Sequence, residues 1–284
     1  MTGAIDLKVT EFSVEQGVGL VRLNRPDRGN SWTTRMNSEY RWLMQRMDGD
    51  PEVRVIVVTG AGRQFCVGAD FKALDHYERS DHNYEKSLGL EAMAQPGHGV
   101  RAEFDHEMVW HWGLQKPVIA AINGACAGIA VALAAFCDLR YAAAGAKFTT
   151  STPRLGLPAE YGLSWILPRI VGLTHAADIL LSGRVFLSEE AKEMGFLNTV
   201  FPAEDFEAKV LEIGRGMASS VSPNAVLTAK RQLYADLLRS DVGQAVEDSK
   251  ALIGRMMKHP DFSEALAAVK EKRPPRFAGL GKRG

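Results

Sequence analysis

Apolar residues along the chain fall into two periodicities, and the mixture changes about two thirds of the way along. Residues 6–14 and 18–23 read as two strands joined at Gln16-Gly17, a hairpin. Met36, Tyr40, Leu43, Met44 and Met47 then recur at helical spacing and define one apolar helix face. Val55 to Thr59 is a short, continuous apolar run, the pattern of a strand buried on both faces of a parallel sheet. Val118 to Ile122 repeats that pattern, and Leu139 to Ala142 repeats it more weakly. Strands separated by helices predict an α/β layer arrangement around a mostly parallel sheet. Residues 75–114 are polar, rich in His, Glu and Gly and broken at Pro96-Gly97, which predicts a helix, a loop and another helix. Beyond residue 203 strand patterning stops. Three helical patterns follow, with breaks at Ser222-Pro223, Ser240-Asp241 and His259-Pro260. The expected organisation is an α/β core over 1–202 and a helical C-terminal region over 203–284.

Composition narrows the class without naming a reaction. A chain of 284 residues with no net formal charge is long enough for one large or two unequal globular units. Asp6, Lys8, Glu11 and Glu15 interrupt the first segment, so no secretory leader is read there, and a cytoplasmic location is the default expectation. Val118 to Phe136 is uncharged and about long enough to span a bilayer, but Asn123-Gly124 is a turn signal that divides it into a buried strand and a short Ala-rich helix. Cys66, Cys126 and Cys137 show no metal-ligand spacing and read as reduced, buried thiols. Acidic and basic residues are interspersed, which argues against a nucleic-acid surface and a membrane partner. The tail is the exception, with Lys272, Arg273, Arg276, Lys282 and Arg283. It is either a solvated end or a contact for a polyanion such as a coenzyme A phosphate.

Two places join a buried strand to a Gly-containing turn and then a helix. One is Thr59-Gly60-Ala61-Gly62, continuing through Phe65 to Asp70; the other is Asn123-Gly124 through Ala130. Ligands of a parallel sheet gather beyond the carboxyl ends of its strands, where free N–H groups at helix starts attract developing negative charge. Two such turns facing one cleft would form an oxyanion hole.

Several ordered segments carry a more specific resemblance. Leu23-Asn24-Arg25-Pro26 with Asn30, TGAGRQFCVGADFKAL (59–74), KPVIAAINGACAGIAVALAAFCDLRYA (116–142), RLGLPAEYGLSWILPRIVG (154–172), LSGRVFLSEEAKEMGFLNTVFP (181–202) and EALAAVKEKRPPRF (264–277) resemble the crotonase (enoyl-CoA hydratase/isomerase) superfamily over nearly the whole chain. The resemblance implies stacked β-β-α turns with a C-terminal helical region that mediates oligomerisation and caps coenzyme A, in a homo-trimer or a dimer of trimers. It implies an acyl-CoA substrate and no separate cofactor or metal. The oxyanion donors would be the backbone N–H groups of Ala69 and Ile129. The main chain at Val67 would meet the adenine, Arg28 and Lys72 would approach the phosphates, and Phe277 with its basic neighbours would complete a coenzyme A pocket, its own or an adjacent subunit's. The family usually carries Gly where this chain has Ile129 and Ala130, a change a backbone donor survives and the acyl pocket feels.

The proton carriers depart from the hydratase pattern. The two glutamates of the family's hydratases align with Ala132 and Thr152, which cannot exchange a proton in the required way. Glu160, counted from Gly156, matches the single glutamate of peroxisomal-type 3-enoyl-CoA to 2-enoyl-CoA isomerases. One base suffices there, because the carboxylate that removes a proton from one carbon returns it to another. Leu157, Leu163 and Trp165 are the apolar neighbours expected to raise its pKa; the alternative is a glutamate that merely stabilises a helix start. His76, His82, His98, His106 and His111 are weaker candidates, and Asp138 reads as structural. The competing expectations are an isomerase or one-acid hydratase, another acyl-CoA hydrolase, lyase or dehalogenase on the same scaffold, and an acyl-CoA-binding protein without turnover.

Overall fold

The computed structural model describes residues 6–70 and 100–280. Strand β1 (Thr10–Glu15) turns at Gln16 and Gly17, both at positive φ, into β2 (Val18–Leu23), and the pair is antiparallel with Glu15 opposite Val18. β3 (Val55–Gly60), β4 (Val118–Ile122), β6 (Leu139–Ala143) and β9 (Thr199–Phe201) then add in parallel, giving the order β1-β2-β3-β4-β6-β9. The continuous apolar runs are explained by burial on both faces. Ile56 and Val58 face the main core, while Val55 and Val57 face a second core with Ile119 and Ala121.

A smaller sheet holds β5 (Cys126–Ala127), β7 (Lys147–Thr149) and β8 (Phe186–Leu187). Isolated parallel bridges, Cys66 with Cys126 and Trp32 with Ala69, extend it towards the N-terminus. Each turn of the chain therefore supplies a longer strand to the first sheet, a short one to the second, and then a helix where one is described: α1 (Thr34–Gly49), α2 (Ile129–Phe136) and α3 (Leu163–Ser182). This is the stacked β-β-α arrangement. Thr33 caps α1 by accepting from Met36 N–H at 3.1 Å, and the predicted face of Met36, Tyr40, Leu43, Met44 and Met47 is fully buried. Buried Glu39 on the same helix accepts from the Lys8 and Val9 N–H groups at 3.0 Å and from the Thr10 hydroxyl at 2.8 Å, which fastens the chain entering β1.

A short helix α4 (Ser188–Glu193) precedes β9, and four helices follow it: α5 (Phe206–Ser220), α6 (Pro223–Leu237), α7 (Val242–Met256) and α8 (Pro260–Glu271). Three breaks separate four elements, so the expected count of three was one short. α5 is part of the core, since Phe206, Val210 and Ala218 close the second face of the sheet. α6 is fixed by Asp138, whose carboxylate takes Lys230 Nζ at 2.7 Å, the Tyr234 hydroxyl at 2.7 Å and the Val118 N–H at 2.6 Å. That is the structural role expected of Asp138.

Two further expectations are resolved here. Residues 118–136 divide at Asn123-Gly124 into β4, β5 and α2, and no helix among the described residues is long and apolar enough to cross a membrane. The second helix expected before residue 114 is not α-helical: residues 100–114 form two 3-10 stretches, Ala102–Phe104 and Val109–Gly113. Met108, at φ 61°, interrupts any continuous helical path between them.

Candidate active site

Three polar side chains build the cleft by tying the loop after β3 to its neighbours. Buried Asn30 donates to the carbonyls of Ala61 at 2.9 Å and Gln64 at 2.7 Å, and accepts from Arg25 N–H at 2.8 Å. Asn123 donates to the carbonyls of Gly60 and Gly62, both at 2.9 Å, and accepts from Gly60 N–H at 3.1 Å. Gln64 Oε1 accepts from Ala125 N–H at 2.8 Å. A side chain at Gly60 would drive into the Gln64 and Phe65 carbonyls, so the close approach needs glycine. Asn30, Gln64 and Asn123 were read from sequence as motif or turn positions only; the structure shows them to be the latches of the two turns.

The two turns then run side by side. Cys66 N–H donates to Ala125 C=O and Ala127 N–H to Cys66 C=O, each at 3.0 Å. On the other side Trp32 N–H reaches Gly68 C=O at 2.7 Å and Asp70 N–H reaches Trp32 C=O at 2.9 Å. These bonds skip Ala69, whose N–H points away from Trp32 and has no hydrogen-bond partner among the described residues. Gly128, at φ 54° and ψ −122°, precedes α2, and Ile129 N–H is the first orphan donor of that helix. A Cβ on Gly128 would lie 3.9 Å from Gly68 Cα, so the two turns, and with them Ala69 and Ile129, occupy one place.

Glu160 completes the convergence. Its Oε2 lies 3.4 Å from where a Gly128 Cβ would stand, and that oxygen is buried with no hydrogen-bond partner among the described residues. Burial raises its pKa above the ordinary glutamate value, because the charged form loses hydration without a compensating donor. Glu160 does not cap α3: the N-cap is Gly162, with no side-chain cap, and Leu163 N–H bonds to the Glu160 main-chain carbonyl at 2.9 Å. Leu163 is buried and Trp165 half-buried, but Leu157 is 46 % exposed and contributes less to the apolar setting than expected. Ala132 and Thr152 are both buried, and Thr152 Oγ1 has no hydrogen-bond partner among the described residues.

The remaining candidates separate clearly. Arg28 is exposed at the rim, and Val67, 42 % exposed, sits against its neighbour Gly29, with Val67 N–H on Gly29 C=O at 3.1 Å. These two share one edge of the cleft. Lys72, His76, His82 and His98 lie outside the described residues. Phe277 is not at its own chain's site: its carbonyl accepts from Arg54 at 2.6 Å, just before β3, whereas the cleft lies beyond Gly60 at the other end of that strand. His106 is exposed. His111 is buried, with Nδ1–H on Met108 C=O at 2.5 Å and the Tyr40 hydroxyl on Nε2 at 2.7 Å; burial depresses its pKa to about 3, so it is a neutral structural imidazole. The three cysteines are free and buried, and burial pushes the Cys66 and Cys137 thiols up to about 12.

A spiral of β-β-α turns with two unpaired N–H groups at adjacent strand ends defines the crotonase class of fold and site. The family model for enoyl-CoA hydratase/isomerase matches residues 13–280, and the chain belongs to that family of enzymes. A probable enoyl-CoA hydratase of Rhodobacter capsulatus is 30 % identical over 272 residues, covering 94 % of this chain and 97 % of the relative. The peroxisomal Δ(3,5)-Δ(2,4)-dienoyl-CoA isomerase of Arabidopsis thaliana is 31 % identical over 279 residues, covering 96 % and 97 %. Among solved structures, a putative enoyl-CoA hydratase from Streptomyces coelicolor superposes with a TM-score of 0.83 at 28 % identity, covering 98 % of each chain.

Proposed function

We propose that this protein binds an acyl-CoA thioester, holds its enolate between the N–H groups of Ala69 and Ile129, and uses Glu160 as the single proton carrier. The reaction is of the 3-enoyl-CoA to 2-enoyl-CoA isomerase type, or the hydration of a 2-enoyl-CoA by the same one acid. The observation that carries this reading is the buried, unpartnered Glu160 oxygen beside Gly128. A carboxylate in that position is not engaged in holding the fold, and its raised pKa suits exchange of a proton with carbon.

In isomerisation Glu160 removes a proton from C2, the electrons move into the thioester, and the oxyanion hole takes the developing charge. The same carboxyl then returns the proton to C4. Fixed backbone donors in a dry site supply the larger part of such stabilisation, and loss of one typically costs ~10²-fold or more in rate. Coenzyme A enters as part of the substrate, with Arg28 and the Val67 main chain on its path, and no further cofactor has a part in the step. Assembly as a homo-trimer or dimer of trimers belongs to the same reading. It would cover the apolar face of α7 and bring Phe277 to an adjacent subunit's pocket.

The test is the ultraviolet absorbance of a conjugated enoyl thioester during incubation with a 3-enoyl-CoA. A rise that Glu160→Gln abolishes supports the isomerase reading. If no rise occurs, and a 2-enoyl-CoA shows no fall, both activities are excluded.

A further inference from the structure

Arg25, in the Leu23-Asn24-Arg25-Pro26 motif, is held at both ends. Buried Asn30 accepts from the Arg25 N–H through its Oδ1 at 2.8 Å and donates its own N–H to the Arg25 carbonyl at 2.9 Å. The guanidinium forks. Its Nη2 donates to the Asp70 carboxylate at 2.9 Å, and its Nη1 donates to the Ser31 carbonyl at 2.7 Å and to the Ser31 hydroxyl oxygen at 3.1 Å. The Ser31 hydroxyl donates to the same Asp70 oxygen at 3.0 Å. The side chains of the Arg25–Asp70 pair are 19 % and 15 % exposed, so solvent screens the pair little.

The Ser31 carbonyl shares a peptide plane with the Trp32 N–H, which donates to the Gly68 carbonyl at 2.7 Å. The Gly68 carbonyl in turn shares a plane with the Ala69 N–H. A trans peptide points its C=O and its N–H in opposite directions, and no peptide bond among the described residues is cis. Two peptide units are therefore strung in line, from the guanidinium through Ser31–Trp32 and Gly68–Ala69 to the free N–H. Hydrogen bonds in such a chain polarise one another, by about 10–30 % per bond, and a chain that starts at an ionised donor is stronger than a neutral one. Asp70 holds the other arm of the fork, so the ion pair turns its positive end to the Ser31 carbonyl. We propose that Arg25 is a positioning residue for the oxyanion hole: through these two peptides it aims the Ala69 N–H and strengthens it as a donor. This rests on the reading of Ala69 given above. Arg25 touches no reacting atom and adds no step to the reaction.

The experiment reads the donor directly. Butyryl-CoA labelled with carbon-13 at the thioester carbonyl has no double bond to move or hydrate, and difference infrared spectroscopy gives its C=O stretch free and bound to the full-length wild type, Arg25→Lys and Arg25→Gln. The wild type is expected to lower the stretch on binding. Arg25→Gln is expected to lower it less and to cost about tenfold in kcat in the enoyl-CoA assay, with kcat and kcat/KM falling together. Arg25→Lys keeps the charge and loses the planar fork, and is expected to fall between the two. A role in folding alone would lower Tm and leave the bound carbonyl where the wild type puts it. A shift retained in full by both variants, or by Arg25→Lys alone where Arg25→Gln does not fold, overturns the proposal and leaves the oxyanion reading standing. The absence of a shift in the wild type overturns the two together.

Discussion

At the scale of single residues, the site is defined by polar atoms that the fold leaves without partners. A buried carboxyl whose pKa is raised favours folding in its protonated form. Its contribution is therefore fully present below the ordinary glutamate pKa and is lost as pH rises through the raised value. Glu160→Gln cannot lose it, so the variant should gain stability relative to the wild type as pH rises from about 4 towards 7. Urea melts at several pH values check this, and a constant difference would mean that the carboxyl is not perturbed. Thr152 offers a second case. Its buried hydroxyl has no partner among the described residues, so Thr152→Val, which replaces that hydroxyl with a methyl group, should stabilise the protein by about 1 kcal/mol in chemical denaturation. A loss of stability would reveal a hydrogen bond to a bound water.

At the scale of elements, the cleft depends on links between turns more than on the strands beneath them. Asn123 joins the end of β3 and its loop to the end of β4 through three hydrogen bonds to the backbone of Gly60 and Gly62. Asn123→Ala leaves these groups unpaired and should cost about 1–3 kcal/mol. It should also lower kcat/KM by more than tenfold, because Ala69 and Ile129 then lose their register. Equilibrium unfolding and steady-state kinetics together test both effects. The Asp138–Lys230 pair is a structural counterpart, with side chains 14 % and 5 % exposed. Lys230→Met removes one charge from a buried pair and should destabilise by about 3 kcal/mol, with α6 loosening first in hydrogen exchange.

At the scale of the whole molecule, α7 has no fully buried residue, and Val242, Val246 and Ile253 along it and Met257 at its C-cap are exposed. Under the proposed assembly a second subunit covers this face. Ile253→Glu should then shift the sedimentation profile to a smaller species, and an unchanged profile would remove α7 from the interface. The far placement of Phe277 has a related consequence. Its own cleft does not need it, so its contribution to coenzyme A binding under that reading depends on the assembled oligomer.

Much of this was legible because periodicity and motif are local properties. The apolar runs at 55–59 and 118–122 determined buried parallel strands, the face of α1 determined its packing side, and Asn123-Gly124 determined that 118–136 would divide. The glycine-bearing turns indicated where backbone donors would be free, and Glu160 stood out once Ala132 and Thr152 were seen to lack an exchangeable acid. Other features depend on atoms distant in sequence. That a Glu160 oxygen lies beside Gly128, with Gly162 and not Glu160 as the cap of α3, follows from how the chain enters that helix. The 3-10 path of 100–114 follows from the conformation at Met108, and the core role of α5 from the shape of the sheet's second face. The sequence by itself determined the elements and the chemistry available to them. Only the tertiary structure decided which N–H groups remain unpaired and which carboxyl meets them, because an unsatisfied group is defined by what the rest of the chain fails to bring to it.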